Sequence, residues 1–391
     1  MIVAEPGAGK GRGPVSVPSP RPAAYVSGRH MHPETDILPR HAAEATGGFG
    51  PSDPALRRRV GRWLVAWAVM LLVTVVIGGV TRLTESGLSI TEWKPVSGVL
   101  PPLSEGAWQS EFLKYQQIPE YRELNAGMDL GGFKRIYLVE YIHRLWARIV
   151  GLAIGVPLVV LLIRGGLGRA LNLRLLLLLG LMAVQGVMGW YMVQSGLSER
   201  TDVSQYRLAA HLLVALVLVG IAVWTAADLL TGRPRTDPDP RLRRGAAALV
   251  GLLALTAMAG AFVAGLDAGH AYNTFPLMGG RVVPRGYFQL DPWWRNFFEH
   301  VPAAQFNHRL LGILTTLAAL GIWRMTRRAS IARSHRWGQA VALTALLQVG
   351  LGVATLLLFV PISLAALHQA GAVVLLAFGL LLLHGLTPAR A

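Results

Sequence analysis

The chain has 391 residues, 53% of them apolar and only 15% charged. A soluble domain carries roughly a quarter charged residues, so the composition argues against a water-soluble globule and for several membrane spans of about 20 residues each. There is no cysteine, which excludes disulfides, iron–sulfur clusters, thiolate zinc sites and cysteine nucleophiles. The formal charge of +16, from 37 Lys and Arg against 21 Asp and Glu, is split among short loops, a pattern of basic cytoplasmic loops and not of a nucleic-acid binder.

Residues 1–55 are rich in Pro, Gly, Ala and Ser without an apolar period, and read as a disordered tail. No apolar run follows Met1, so no secretory leader is expected. Eight apolar segments follow, at about 62–83, 137–163, 172–195, 206–229, 244–265, 304–325, 337–359 and 361–384. Each is long enough to span with some tilt. The last two are divided at Pro361, because together they are too long for one span and proline marks a turn. Arg57, Arg58, Arg59 and Arg62 precede the first segment. Arg164, Arg169 and Arg174 lie between the second and third, Arg233, Arg235, Arg241, Arg243 and Arg244 between the fourth and fifth, and Arg324, Arg327, Arg328, Arg333 and Arg336 between the sixth and seventh. The intervening loops are balanced in charge. The basic loops are therefore expected in the cytoplasm, with both termini inside.

The chain repeats itself. Glu140-x-x-His143-Arg144 opens the second segment and Gln305-x-x-His308-Arg309 the sixth. Gln185 and Gly189 recur as Gln348 and Gly352 at an offset of 163, His211 recurs as His368, and Gly78, Glu85 and Gly87 recur as Gly260, Asp267 and Gly269 at an offset of 182. Two halves of four spans each, 56–230 and 231–391, related by a pseudo-two-fold axis along the membrane normal, are the expected architecture of this all-α membrane protein.

Of eleven histidines, His30, His32 and His41 fall in the tail, His335 and His384 are expected at the inner interface, and His270 and His300 lie in an outer loop. His143, His211, His308 and His368 differ. Each lies a few residues into an outside-to-inside span, where ionisable side chains are costly and usually functional. Two per half, at matched depth, they have the pattern by which facing helices ligate a haem iron from both sides; the alternative is interhelical hydrogen bonding. Arg144 and Arg309 follow the first histidine of each pair. They suit either haem propionates or snorkelling to the outer interface. The repeat breaks at Glu140, whose counterpart Gln305 cannot ionise. A carboxylate beside one haem only suggests one reactive site and one permanent cofactor site, unless Glu140 is a structural ion-pair partner of Arg144 or Arg148.

At Gly78-Gly79-Val80-Thr81-Arg82-Leu83-Thr84-Glu85-Ser86-Gly87-Leu88-Ser89, Glu140-Tyr141-Ile142-His143-Arg144-Leu145-Trp146, Tyr272-Asn273-Thr274-Phe275-Pro276-Leu277-Met278 and Gln305-Phe306-Asn307-His308-Arg309, the sequence resembles the haem A synthase family over nearly all of 62–384. The resemblance implies an eight-span enzyme. It would oxidise the C8 methyl group of haem O by successive hydroxylations to a hydrated aldehyde, which loses water to leave the formyl group of haem A, destined for terminal oxidases. It further implies that His143 and His211 hold the substrate haem, that Glu140 is the acidic group essential for turnover, and that His308 and His368 ligate a resident haem b. Some members carry an outer-loop cysteine pair; this chain resembles the cysteine-free type. The expected partners are the lipid bilayer, haem O synthase (the farnesyltransferase) and an electron donor, with self-association left open. The expected location is a bacterial inner membrane, with the mitochondrial inner membrane as the alternative. Two other functions compete. A di-haem electron-transfer protein would use the same four histidines but leaves the Glu140/Gln305 difference without a purpose. A transporter with histidine proton relays would carry no haem.

Overall fold

A computed structural model describes residues 49–198, 200–234, 239–328 and 332–389. Most of the expected tail, with His30, His32 and His41, and also Arg235, lies outside the described residues. The described chain is all-helical apart from loops and one isolated bridge between Met278 and Arg281. In chain order the α-helices are α1 (Pro54–Leu83), α2 (Glu105–Tyr115), α3 (Pro119–Glu123), α4 (Leu130–Arg164), α5 (Arg169–Gln194), α6 (Gln205–Leu230), α7 (Pro240–Gly265), α8 (Asn296–Glu299), α9 (Val301–Thr326), α10 (Ala332–Leu357) and α11 (Ile362–Gly385). Seven of them, α1, α4, α5, α6, α7, α10 and α11, are long and apolar enough to cross a membrane, as in a multi-pass membrane protein. The 26-residue α9 carries Gln305, Asn307, His308 and Arg309 in its first half, which lowers its apolarity relative to the others.

Local chemistry sets the boundaries. Helix α1 starts eight residues before the apolar run, because Asp53 accepts hydrogen bonds from the Ala55 and Leu56 amides and Pro54 takes the first helical position. The chain before it is already packed at residue 49: Arg57 donates to the Phe49 carbonyl at 2.7 Å and the Arg174 guanidinium stacks on the Phe49 ring. The tail boundary expected at 55 therefore moves back at least to 49. Asp129 caps α4 through the Gly132 amide, and Gly165, with φ of 72°, ends that helix. The division at Pro361 holds. Phe359 and Val360 adopt left-handed backbone, and Pro361 is the N-cap of α11. The short helices α2 and α3 are additions to the expected elements. They fold the 84–129 loop over a cluster of Phe112, Tyr115, Phe133 and Tyr137.

Helices α1, α6, α7 and α11 pack on one another at the centre, flanked by α4 and α5 on one side and α9 and α10 on the other. Three tryptophans stitch α1 to α4. Trp63 donates to the Ala153 carbonyl, Trp67 to Val150 and Trp146 to Met70, so each indole N–H is satisfied inside the apolar contact. One end of the bundle is closed by Asp228, which is 6% exposed. It accepts from Arg174 and Arg233 at 2.7 Å and pairs with His384 at 2.9 Å. His384, expected at the inner interface, is 2% exposed and packs against a partner 156 positions away in sequence. At the opposite end Arg82 bridges to Asp267 at 2.7 Å.

Candidate functional site

The repeat has a geometric counterpart in the backbone. Glu85 and Asp267, 182 positions apart, are both left-handed, with φ of 51° and 49°. Each follows the end of a central helix and turns the chain back along the bundle. The two turns then run into matched contacts. Arg144 donates to the carbonyls of Ile90 and Glu92 at 2.8 and 3.1 Å. Arg309 donates to those of Tyr272 and Thr274 at 2.6 and 2.8 Å. The four carbonyls stand at the same offset of 182. Each arginine thus clamps the segment after α1 or α7 against α4 or α9. The planar fork of five N–H donors suits two carbonyls in a row.

His143, His211, His308 and His368 each face a glycine on a neighbouring helix. A Cβ built on Gly78 of α1 would lie 3.3 Å from His143 Nε2, and one on Gly189 of α5 would lie 3.3 Å from His211 Cε1. In the second half a Cβ on Gly260 of α7 would lie 3.0 Å from His308 Cε1, and one on Gly352 of α10 would lie 3.0 Å from His368 Cε1. The four glycines are two repeat pairs, as the histidines are. Their missing side chains let each imidazole come close to a helix backbone.

The second histidine pair has the spacing of two imidazoles that share one metal. His308 and His368 have ring centroids 6.2 Å apart. Metal–imidazole bonds of about 2.0 Å put two rings on opposite sides of one metal about 6 Å apart. The Nδ1 of His308 is 3.1 Å from the Thr256 carbonyl, which leaves Nε2 for a metal in the way that haem and other metal-binding histidines are oriented by their second nitrogen. In the first half Gln185 Nε2 sits 3.2 Å from His211 Nε2, whereas its duplicate Gln348 donates to the backbone carbonyl of His368 at 2.8 Å. The second pair is free of side-chain hydrogen bonds from this glutamine; the first is not.

Glu140 is 2% exposed and fully engaged. Its Oε2 accepts from the Ser89 hydroxyl at 2.7 Å and the Ile90 amide at 2.8 Å, and its Oε1 accepts from Arg144 Nη2 at 2.6 Å and Nε at 3.0 Å. Gln305, 3% exposed, instead donates to the Tyr272 carbonyl at 3.2 Å, and its Oε1 is buried without a partner. Glu140 therefore sits within the ion pair with Arg144 that was one of its two expected roles, one turn from His143. The structure brings Glu140, His143 and Arg144 together on α4 and Gln305, His308 and Arg309 together on α9. The glycine partners and the loop carbonyls were not assigned roles from the sequence; the glycines were visible there only as repeat positions.

The family model described as COX15-CtaA, cytochrome oxidase assembly protein, matches residues 61–380. The chain is 46% identical over 350 residues to a Heme A synthase of Parvibaculum lavamentivorans, covering 89% of this chain and 98% of that protein. It is 48% identical over 342 residues to a Heme A synthase of Rhodospirillum centenum, covering 87% and 91%. The Homo sapiens Heme A synthase COX15 is 46% identical over 343 residues, covering 85% of this chain and 83% of the human one.

Proposed function

The chain belongs to the COX15-CtaA family of cytochrome oxidase assembly proteins, and from that premise we propose that it is the haem A synthase of a bacterial inner membrane, working as two four-helix halves with unlike tasks. It is an oxidoreductase that converts haem O to haem A. The C8 methyl group of haem O is hydroxylated successively to a hydrated aldehyde, and loss of water leaves the formyl group.

The halves are α1, α4, α5 and α6 and α7, α9, α10 and α11, related by a pseudo-two-fold axis and crossing the membrane eight times with both termini in the cytoplasm. The paired left-handed turns, the paired arginine clamps and the paired glycine–histidine contacts support that reading. His308 and His368 hold a resident haem b. When bound, that group supplies one-electron transfer. His143 and His211 hold haem O as substrate, and Gly78 and Gly189 set the depth of the two imidazoles.

The observation that carries the division of labour is the buried Glu140 carboxylate, one turn from His143, where the second half has Gln305. Arg144 and Glu140 form a fixed charge pair beside the substrate ring, and a low-dielectric site strengthens the effect of such a pair on charge developing during oxidation. Ser89 and the Ile90 amide hold the carboxylate in place, so it needs little reorganisation as the methyl carbon is oxidised.

The test is Glu140→Gln in a host that supplies haem O, read by chromatography of extracted haems. The variant is expected to keep haem b while haem O or a hydroxylated intermediate accumulates. Normal haem A yield would overturn the placement of catalysis in the first half and leave an electron carrier as the better account of these helices.

A further inference from the structure

The two halves are closed at their loop-bearing ends by different means. In the second half Asn273, in the segment clamped by Arg309, donates to the Leu356 carbonyl of α10 at 2.8 Å and to the Gly269 carbonyl at 3.1 Å. That segment is hydrogen-bonded to the helix carrying Gly352, the glycine beneath His368. In the first half the equivalent residue is Thr91, and the bridge to α5 is a pair of rings, Trp93 on Trp190, with centroids 5.7 Å apart and planes tilted by 33°. Trp190 directly follows Gly189, the glycine beneath His211. The positions equivalent to the two tryptophans hold Phe275 and Val353, which cannot form such a pair.

The seam is apolar and open. Trp93 is 52% exposed, and Val96, Leu100 and Leu103 in the same segment are exposed further. On its other side the segment is held by Arg148 of α4, which donates to the carbonyls of Lys94 and Pro95, by Tyr141, which donates to that of Val99, and by the ion pair of Lys94 with Glu111 of α2. Arg148 lies one turn deeper in α4 than Arg144, so the segment lies along the helix flank between α4 and α5, where α4 rests on α5 less extensively than α9 does on α10.

We propose that this seam, closed by Trp93 on Trp190, is the lateral portal for the substrate haem and the subsite for its isoprenoid tail. The proposal rests on placing haem O at His143 and His211. A substrate with a long isoprenoid chain is dissolved in the bilayer and must come and go each turnover. A ring–ring contact can separate and re-form without breaking a hydrogen bond, whereas opening the second-half closure breaks the Asn273 bond to the Leu356 carbonyl. The same rings, with Val96, Leu100 and Leu103, offer apolar surface that a tail can cover. A haem that never leaves sits behind the hydrogen-bonded closure, and one that must exchange sits behind the stacked one.

The absence of cysteine makes the test clean. The full chain carrying Trp93→Cys and Trp190→Cys, with resident haem b, is joined by a short bis-maleimide and mixed with haem O or with haem b in detergent. The resident haem b spectrum reports that the fold is intact. Cross-linking is expected to slow haem O uptake at least about tenfold relative to the same variant left unjoined. Separately, Trp190→Ala should lower the affinity ratio of haem O to haem b by about tenfold, the equivalent of one lost apolar contact of this size. Uptake at the unjoined rate after cross-linking would overturn the portal, and an unchanged ratio in Trp190→Ala would overturn the tail subsite. Haem O uptake that survives His143→Ala and His211→Ala together would instead overturn the placement of the substrate on which both depend.

Discussion

The side-chain amide of Gln369 rests on the backbone of Gly79 and leaves no space there for a Cβ. Gln369 follows His368 on α11, and Gly79 follows Gly78, which lies under the His143 ring. One contact between the central helices thus touches the chain beside both histidine pairs. Gly79→Val is expected to force Gln369 out and cost about 1–3 kcal/mol, the usual range for overpacking. Gln369→Ala in the same chain should recover most of that loss. Thermal unfolding in detergent, followed by the haem b band, measures both, and additivity of the two changes would mean that the residues do not meet.

The glycine–histidine contacts predict a split between the halves. Gly260→Val or Gly352→Val should displace His308 or His368 and abolish a low-spin haem b spectrum, as should His308→Ala or His368→Ala. Gly78→Val should leave that spectrum intact and block retention of haem O. Absorbance of purified protein with and without added haem O gives the answer. Loss of haem b from Gly78→Val would place the resident group in the wrong half.

Arg144 and Glu140 form a coupled pair, and their substitutions should not add. Arg144→Leu leaves a buried carboxylate uncompensated and releases two loop carbonyls, a change that costs about 3–5 kcal/mol for a buried pair. Glu140→Gln with Arg144→Leu together should cost less than the sum of the single changes. Chemical or thermal unfolding of the four proteins completes the cycle. A coupling near zero would mean that the clamp on Ile90 and Glu92, not the ion pair, is what Arg144 contributes.

The loop domain formed by α2 and α3 should weaken as pH rises. Burial, with the neighbouring Glu140 and Glu85 carboxylates, pushes Glu120 up to about 8, against a lowering contribution from the Tyr115 hydroxyl. Its folded-state value lies above its unfolded one, so the folded loop binds the proton more tightly. The stabilisation is complete below the unfolded value and is lost as pH rises through the folded one. Protection of this loop from proteolysis should therefore fall between about pH 5 and pH 8 and then level. Glu120→Gln should flatten the profile; a profile that keeps its slope would assign it to another group.

Much of the architecture was legible because a lipid-facing helix must be apolar for its whole length, and repeated chemistry leaves repeated letters. The divided segment at Pro361 and the histidine pairs were found that way. Other features have no such signature. The start of α1 depends on Asp53 and Pro54, outside the apolar run. Helices α2 and α3 are short and polar enough to read as loop. Arg144 and Arg309 were open between haem propionates and the interface, but the structure places both guanidiniums on backbone carbonyls, which any residue can supply and no sequence reveals. Nothing in the sequence pairs His384 with Asp228, which the fold sets beside it.

The Asp228–His384 pair has no mirror image. At the 157-position offset that carries His211 onto His368, the equivalents of His384 and Asp228 are Ala227 and Gly385. A tandem of two first halves would place an aspartate at this end of each half with no imidazole opposite, and a tandem of two second halves would place two histidines there with no carboxylate. The imidazole–carboxylate contact is therefore one that each half makes with the other and not with itself. Separately expressed halves, divided in the segment between α6 and α7, should assemble as unlike pairs and leave like pairs unformed.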